Sequence, residues 1–359
     1  MSAVAGLGSG TLARLVADSA GIKARLATLA SQAADGRRGR LYGDIGPAAN
    51  RAINLRGEVA RRETQAGTLD RALGRTGAAG DAMRRLSAIA EDAFAKAQAI
   101  STADPARIGV VAAGARAALR EVAGLLNATH AGEYVFGGAD AANPPLPHPD
   151  DLMAGGLGAA IAAAVGSLGG GNAAAVLAAT GAAAGSDAAG VTPFSAYLSD
   201  PARGLTEARR TTVSDDGVEI PTGLFANRNA AVPSGGETTG SWSRDLLRGL
   251  MTLASLTPAA AGVGSDLDSL MVGVRAGLRA AAGGLAGEEG ALGMAEARLE
   301  AAKARHDDLG TVLSGQLSDL EEVDMAVTLT ALQDTRTRLE ASWKALSILS
   351  GLSLANFLR

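Results

Sequence analysis

Apolar residues at both ends of the chain recur three and four positions apart. Near the start they fall at Leu12, Leu15, Ile22, Leu26 and Leu29, with Ser19 and Ala33 in the same register, the rhythm that turns one stripe of a helix toward a partner. Gly36 and the basic cluster Arg37, Arg38 and Arg40 interrupt it. Gly46 followed by Pro47 offers a restart, because proline suits the first helical turn. A second helix is predicted over about 48–73 and a third over about 81–100, the latter with Met83, Leu86, Ile89, Ala90, Ala93 and Phe94 on one face. Asp104 and Pro105 read as N-cap and first residue of a fourth, which carries Ile108, Val111, Ala115, Leu119, Val122, Leu125 and Leu126.

The pattern changes at Tyr134, Val135 and Phe136, a short aromatic and β-branched run closed by Gly137 and Gly138, which reads as a strand entering a turn. Pro144, Pro145, Pro147 and Pro149 then end regular structure. A less regular region follows, Ala/Gly-rich at first, with strands predicted near 210–213 and 218–220. Helical patterning returns over 243–256 and 266–282, where Ser265 and Asp268 form a capping-box pattern. From about residue 293 the chain has Leu299, Ala302, His306, Leu309, Leu313, Leu317, Leu320, Val323 and Val327 at three-and-four spacing, and the rhythm resumes with Leu332, Leu339, Trp343 and Leu346. With no proline after Pro258, this predicts one helix of about 55 residues, about 80 Å long. The expected fold is mainly α: a long antiparallel helical rod built from both chain termini, with a smaller mixed α/β or β-containing middle domain inserted at one end. The corresponding segments are 1–45, 46–143, 144–242, 243–290 and 291–359.

Composition narrows the chemistry. Alanine is the largest part of the apolar content and aromatics make up 3% of the chain, which favours thin helical packing over a thick globular core. A net charge of −4 lacks the positive field of a nucleic-acid or anionic-membrane binder. The stretch 152–186 has no charged residue and is long enough to span a bilayer. Its residues are mainly Ala and Gly, however, interrupted by Ser167, Asn172 and Thr180, whereas insertion is driven by Leu, Ile, Phe and Val. No membrane span is expected. The first ten residues lack a basic region followed by a long apolar one, so no cleaved signal peptide is expected. There is no cysteine, hence no disulfide, thiol nucleophile or thiolate metal site. His130, His148 and His306 form no pair at metal-ligand spacing. The acids Asp319, Glu321, Glu322 and Asp324 read as a solvated helix face, and the basic Arg37, Arg38 and Arg40 as a solvated loop. No catalytic, cofactor or metal site is predicted.

The run Leu317-Ser-Asp-Leu-Glu-Glu-Val-Asp-Met-Ala326, followed by Thr330, Leu332, Gln333, Leu339, Ala341 and Ser342 and ending Leu349-Ser-Gly-Leu-Ser-Leu354, resembles the carboxyl-terminal signature of the flagellin family. The likeness extends over roughly 12–138 and 246–358. The segment 127–138, with Tyr134, Phe136, Gly137 and Gly138, is similar to the place where hook-associated members of that family carry an aromatic strand and a glycine turn. Asp44-Ile-Gly-Pro47 departs from the Asp-Asp-Pro-like tract usual after the family's first helix.

The resemblance implies a secreted, non-enzymatic structural component of the bacterial flagellum, exported by the flagellar type III apparatus and placed at the hook-filament junction. The partners it implies are further copies of the chain in a ring or layer, a neighbouring hook-associated protein, flagellin and an export chaperone, with no nucleic acid and no membrane. The assembly interface is expected at Leu12, Leu15, Ile22, Leu26, Leu29, Leu313, Leu317, Leu320, Val327, Leu339 and Leu346. The chaperone handle is expected at Trp343, Leu346, Leu349, Leu352, Leu354 and Phe357. The alternatives are the filament flagellin itself and a cytoplasmic coiled-coil scaffold, and a third is an enzyme inserted within 144–240.

Overall fold

A computed structural model describes residues 5–214 and 217–357, with side chains described over 13–214 and 217–348. Helix α1, Ala5–Asp35, stops at Gly36, whose φ of 69° is the left-handed conformation that closes a helix without strain in glycine. A 3-10 segment, Tyr42–Ala48, contains Pro47 and leads into α2, Ala49–Gln98. Helix α3, Pro105–Leu126, starts where the Asp104 carboxylate accepts the Arg107 amide at 3.1 Å. Strands β1, Thr129–His130, and β2, Glu133–Tyr134, pair antiparallel across the turn residues Ala131 and Gly132, both at positive φ, as a tight two-residue hairpin requires. Helices α4, Gly156–Gly166, and α5, Ala173–Ala184, follow. Strands β3, Thr211–Val213, and β4, Glu219–Pro221, form a second antiparallel pair with Thr212 opposite Ile220. The chain closes with α6, Trp242–Ser255, α7, Ser265–Glu321, and α8, Met325–Phe357. The fold is mainly α, as the periodicity predicts.

Three local expectations are corrected. The helices expected over 48–73 and 81–100 are one helix, α2, running unbroken through Gly74, Gly77 and Gly80. Each glycine costs about 1 kcal/mol of helix propensity, but the intervening Thr76, Ala79, Ala82 and Met83 are buried, and tertiary packing outweighs propensity. At Gly74 a Cβ would stand 2.8 Å from His130 Nε2, so a side chain there requires the imidazole to move. The uncharged stretch after residue 152 holds two short helices instead of irregular chain. The single long C-terminal helix is divided at 322–324 into α7, which starts earlier than expected, and α8.

The molecule divides into two compact units, Met1–Thr64 with His306–Arg359, and Gln65–Arg305. In the first, α1 packs on α8, and the C-terminal end of α1 lies beside the start of α8, so the two run antiparallel. There the Val323 amide donates to the Gly36 carbonyl at 3.0 Å and the Arg38 amide to the Glu321 carbonyl at 2.7 Å. The Arg38 guanidinium adds bonds to the Asp319 and Glu322 carbonyls at 2.8 and 3.0 Å. These donors take over carbonyls that a continuous helix would satisfy internally, which is why the helix breaks here. Asp324 then caps the next helix, accepting the Ala326 and Val327 amides at 2.9 and 3.1 Å.

The second unit is built around α6, against which α3, α4 and α5 pack. Every residue from Trp242 to Ala254 is buried. Three of these are charged, and each is hydrogen-bonded locally. Arg244 donates to the Asn227 and Ala184 carbonyls at 2.7 and 3.1 Å and pairs with Asp187. Arg248 donates to the Leu177 carbonyl, Thr180 and Glu237 at 2.7, 3.1 and 2.9 Å. Asp245 accepts from Thr238 and from the amide and hydroxyl of Thr239 at 2.7 and 2.8 Å. Buried charges are tolerated when so bonded.

Candidate assembly surface

The first unit contains almost no core. Among its described residues the buried apolar side chains are Ala52 and Leu339, and the rest of the buried set is polar: Ser19, His306, Thr328 and Thr335. The predicted stripe residues of α1, Leu15, Ile22, Leu26 and Leu29, are half-buried, as are Leu313, Leu317 and Leu320 on α7 and Leu346 on α8. On α8 the covered row is Thr328, Leu332, Thr335, Leu339 and Leu346, at the three-and-four spacing of a helix stripe. Val327, expected on that row, is one position off it and 65% exposed. Leu12 of the expected interface and Leu349, Leu352, Leu354 and Phe357 of the expected chaperone handle lie outside the residues whose side chains are described. Trp343 is 55% exposed.

Leu309, expected on the stripe of α7, is 43% exposed, and a further set of apolar side chains that was not read from the sequence faces outward: Val16 on α1, Val312 on α7, and Met325, Leu329 and Ile348 on α8. Met325, Leu329 and Trp343 are four and fourteen positions apart, so at 3.6 residues per turn they share one side of α8. The available signal was the apolar residues left over once one stripe had been assigned. Exposed apolar groups in this density mark surfaces that another molecule covers. Among the described residues of this unit the one buried apolar side chain larger than alanine is Leu339, so α1 and α8 bury little apolar area between them.

Charge is concentrated near the helix break. Arg56 pairs with Glu321 at 2.6 Å and bonds Tyr42 at 2.9 Å, and the Glu321 hydrogen bond holds its guanidinium above the ordinary arginine range. Glu321 is therefore part of an ion pair, whereas Glu322 and Asp324 are exposed. Asp35, beside Arg40 at 2.7 Å, is held below the usual carboxylate range by that hydrogen bond. Arg38, expected to be solvated, is bound to carbonyls as described above.

The aromatic motif belongs to the core of the second unit. Phe136 is fully buried and meets Trp242 edge-on at 6.4 Å. Tyr134 is half-buried, and the expected strand through Phe136 is confined to Glu133–Tyr134. Gly137 bridges to Phe225. Gly138 has φ of 64° and lies so close to Phe225 that a Cβ would stand 2.8 Å from its ring.

Residues 277–358, most of α7 and α8, match the family model of the bacterial flagellin C-terminal helical region. The likeness is to flagellin. No curated protein sequence matches the chain. The flagellin-like segment includes the helix break, the covered row of α8 and the outward-facing Val312, Met325, Leu329 and Trp343. Among the described residues no group of three or more His, Asp or Glu side chains is placed to hold a metal ion, and no helix is long and apolar enough to cross a membrane.

Proposed function

We propose that this protein is an exported structural subunit of the bacterial flagellum, that it assembles through its terminal helices, and that its place is the hook-filament junction. The observation that carries the reading is a flagellin-like C-terminal segment in a unit whose apolar side chains are largely uncovered. Such a unit gains its stability when neighbouring copies cover α1 and α8, so folding of the ends and assembly are one process. The stripe residues Leu15, Ile22, Leu26, Leu29, Leu313, Leu317, Leu320, Leu339 and Leu346 hold the helix pair in register for that contact. Val16, Val312, Val327, Leu329 and Trp343 supply the outward apolar surface. An export chaperone shields the end of α8 before assembly. The aromatic-glycine turn at 134–138 supports the junction position over the filament, through its likeness to hook-associated members of the family. The subunit has a mechanical role and catalyses nothing.

Immunogold labelling of intact cells with an antibody to this chain tests the position. A narrow band between hook and filament is the expected result. Label along the whole filament makes the protein the filament subunit, and label confined to the cytoplasm overturns the flagellar reading. Leu26→Asp and Leu320→Asp are expected to abolish assembly, and unchanged assembly of both variants refutes the role given to the terminal helices.

A further inference from the structure

Away from the terminal helices, the second unit contains a cleft of about 480 Å³ formed by three stretches far apart in sequence. Helix α2 contributes Thr68, Arg71 and Arg75, the β1–β2 hairpin contributes His130 and Glu133, and the β3–β4 pair contributes Arg210, Thr212 and Thr222. A small apolar cluster holds the walls in place: Ile220 of β4 packs with Leu69 of α2 and with Ala295 and Leu299 of α7. The cleft is thus built on packed elements.

Its charge is unbalanced. Three guanidinium groups and an imidazole line it against the single carboxylate of Glu133, in a chain whose net charge is −4. Arg75 and Arg210 both reach the same carboxylate oxygen, Glu133 Oε2, at 3.3 and 3.0 Å. The Arg75 side chain is only 11% exposed, and burial together with the neighbouring Arg210 pushes its guanidinium below the ordinary arginine range. Arg71 donates to the Gly67 carbonyl and the Thr68 hydroxyl at 3.2 Å each, and among the described residues no carboxylate pairs with it. Arg75 has a further bond to the Tyr134 carbonyl at 3.4 Å, yet two guanidinium forks that share one carboxylate oxygen are under-supplied, since each matches a pair of oxygens. Glu133 is half-exposed, at 49%, so its carboxylate can swing out to water.

We propose that this cleft binds an oxyanion, the phosphate or carboxylate of a hydroxyl-bearing small molecule such as an acidic sugar. Arg75 and Arg210 take the anion, Arg71 completes its charge, and Glu133 is the internal carboxylate that the ligand displaces. Thr68, Thr212 and Thr222 line the same space, and their hydroxyls, of which those of Thr212 and Thr222 lie 3.4 Å apart, suit the hydroxyls of such a molecule. This binding does not depend on the assembly role.

Calorimetric titration of the full chain at low ionic strength with inorganic phosphate and, separately, with glucuronate tests the site. Saturable binding of at least one probe is expected, and the tighter one identifies the anion class. Arg71→Gln and Arg210→Gln change exposed or half-exposed side chains and leave the packing intact. Each is expected to weaken binding by about tenfold or more, as for loss of a charge-assisted hydrogen bond. Glu133→Gln is expected to tighten binding severalfold, which a merely structural Glu133 would not do. Absence of saturable binding by either probe, binding unaffected by Arg210→Gln, or weaker binding in Glu133→Gln overturns the proposal.

Discussion

Among the described residues of the first unit, Leu339 is the only buried apolar side chain larger than alanine, with 5% of its surface exposed. Replacing it with alanine removes three heavy atoms from the row that faces α1. Leu→Ala substitutions at buried sites cost about 2–5 kcal/mol, and here the low end applies, about 2–3 kcal/mol, because two helices without other large buried groups can move together and close the gap. The second unit has its own core around Trp242 and Phe136, so the loss stays local. Local opening free energies read directly as amide exchange, and 2–3 kcal/mol corresponds to about 30- to 150-fold faster exchange. Hydrogen-exchange mass spectrometry of wild type and Leu339→Ala in the assembled state, where neighbouring copies order the terminal helices, is the assay. Peptides from 13–35 and 325–348 are expected to exchange faster, while peptides from 242–255 keep their protection. Unchanged protection in α1 and α8, or an equal loss in α6, would refute the argument that the terminal unit stands on this thin contact.

Three further outcomes follow from the second unit. Glu288 is buried and its Oε1 accepts the amides of Ala230, Ala231 and Val232 at 3.0, 2.7 and 2.9 Å; Glu288→Ala strands those donors and is expected to lower stability by about 3–5 kcal/mol. Urea unfolding followed by tryptophan fluorescence checks this, and a loss under about 1 kcal/mol would contradict it. Gly74→Val places side-chain atoms where the His130 ring lies, 2.8 Å from the glycine's virtual Cβ, and is expected to displace the β1–β2 hairpin at a cost of about 1–3 kcal/mol, seen as shifted His130 resonances and a lower melting temperature. Burial raises the pKa of Asp245 above its ordinary 3.8, against the opposing hydrogen bonds of Thr238 and Thr239. The folded state therefore holds this proton more tightly than the unfolded chain, and the contribution of Asp245 to stability falls as pH rises from the ordinary carboxylate value through the raised one. In urea midpoints measured across that window, wild type minus Asp245→Asn is expected to grow as pH falls, and a flat difference would show that the burial has no such effect.

Periodicity alone determined that both ends of the chain are helical, that each helix has one partner-facing stripe, and roughly where α1, α3 and α6 lie. Those properties are written in residue spacing and in caps such as Asp104 with Pro105, which act within a turn or two of themselves. The tertiary structure decided the rest. The spacing predicts two helices over about 48–73 and 81–100, yet α2 continues through Gly74, Gly77 and Gly80 because Thr76, Ala79, Ala82 and Met83 are buried. The stripe reads straight through 322–324, yet the helix breaks there because residues nearly 300 positions earlier take over its backbone groups: the Gly36 carbonyl accepts the Val323 amide and Arg38 donates to the carbonyls of Asp319, Glu321 and Glu322. Val327, in step with the α7 stripe, faces outward and Thr328 inward because α8 restarts after the break at 322–324. Nothing in the spacing over 243–256 marks Arg244, Asp245 and Arg248 as buried, and only the surrounding carbonyls, hydroxyls and carboxylates allow them inside. The Arg71, Arg75 and Arg210 cleft joins side chains that no local pattern connects. Spacing carries information over one or two helical turns, whereas burial and charge pairing depend on which distant segments meet.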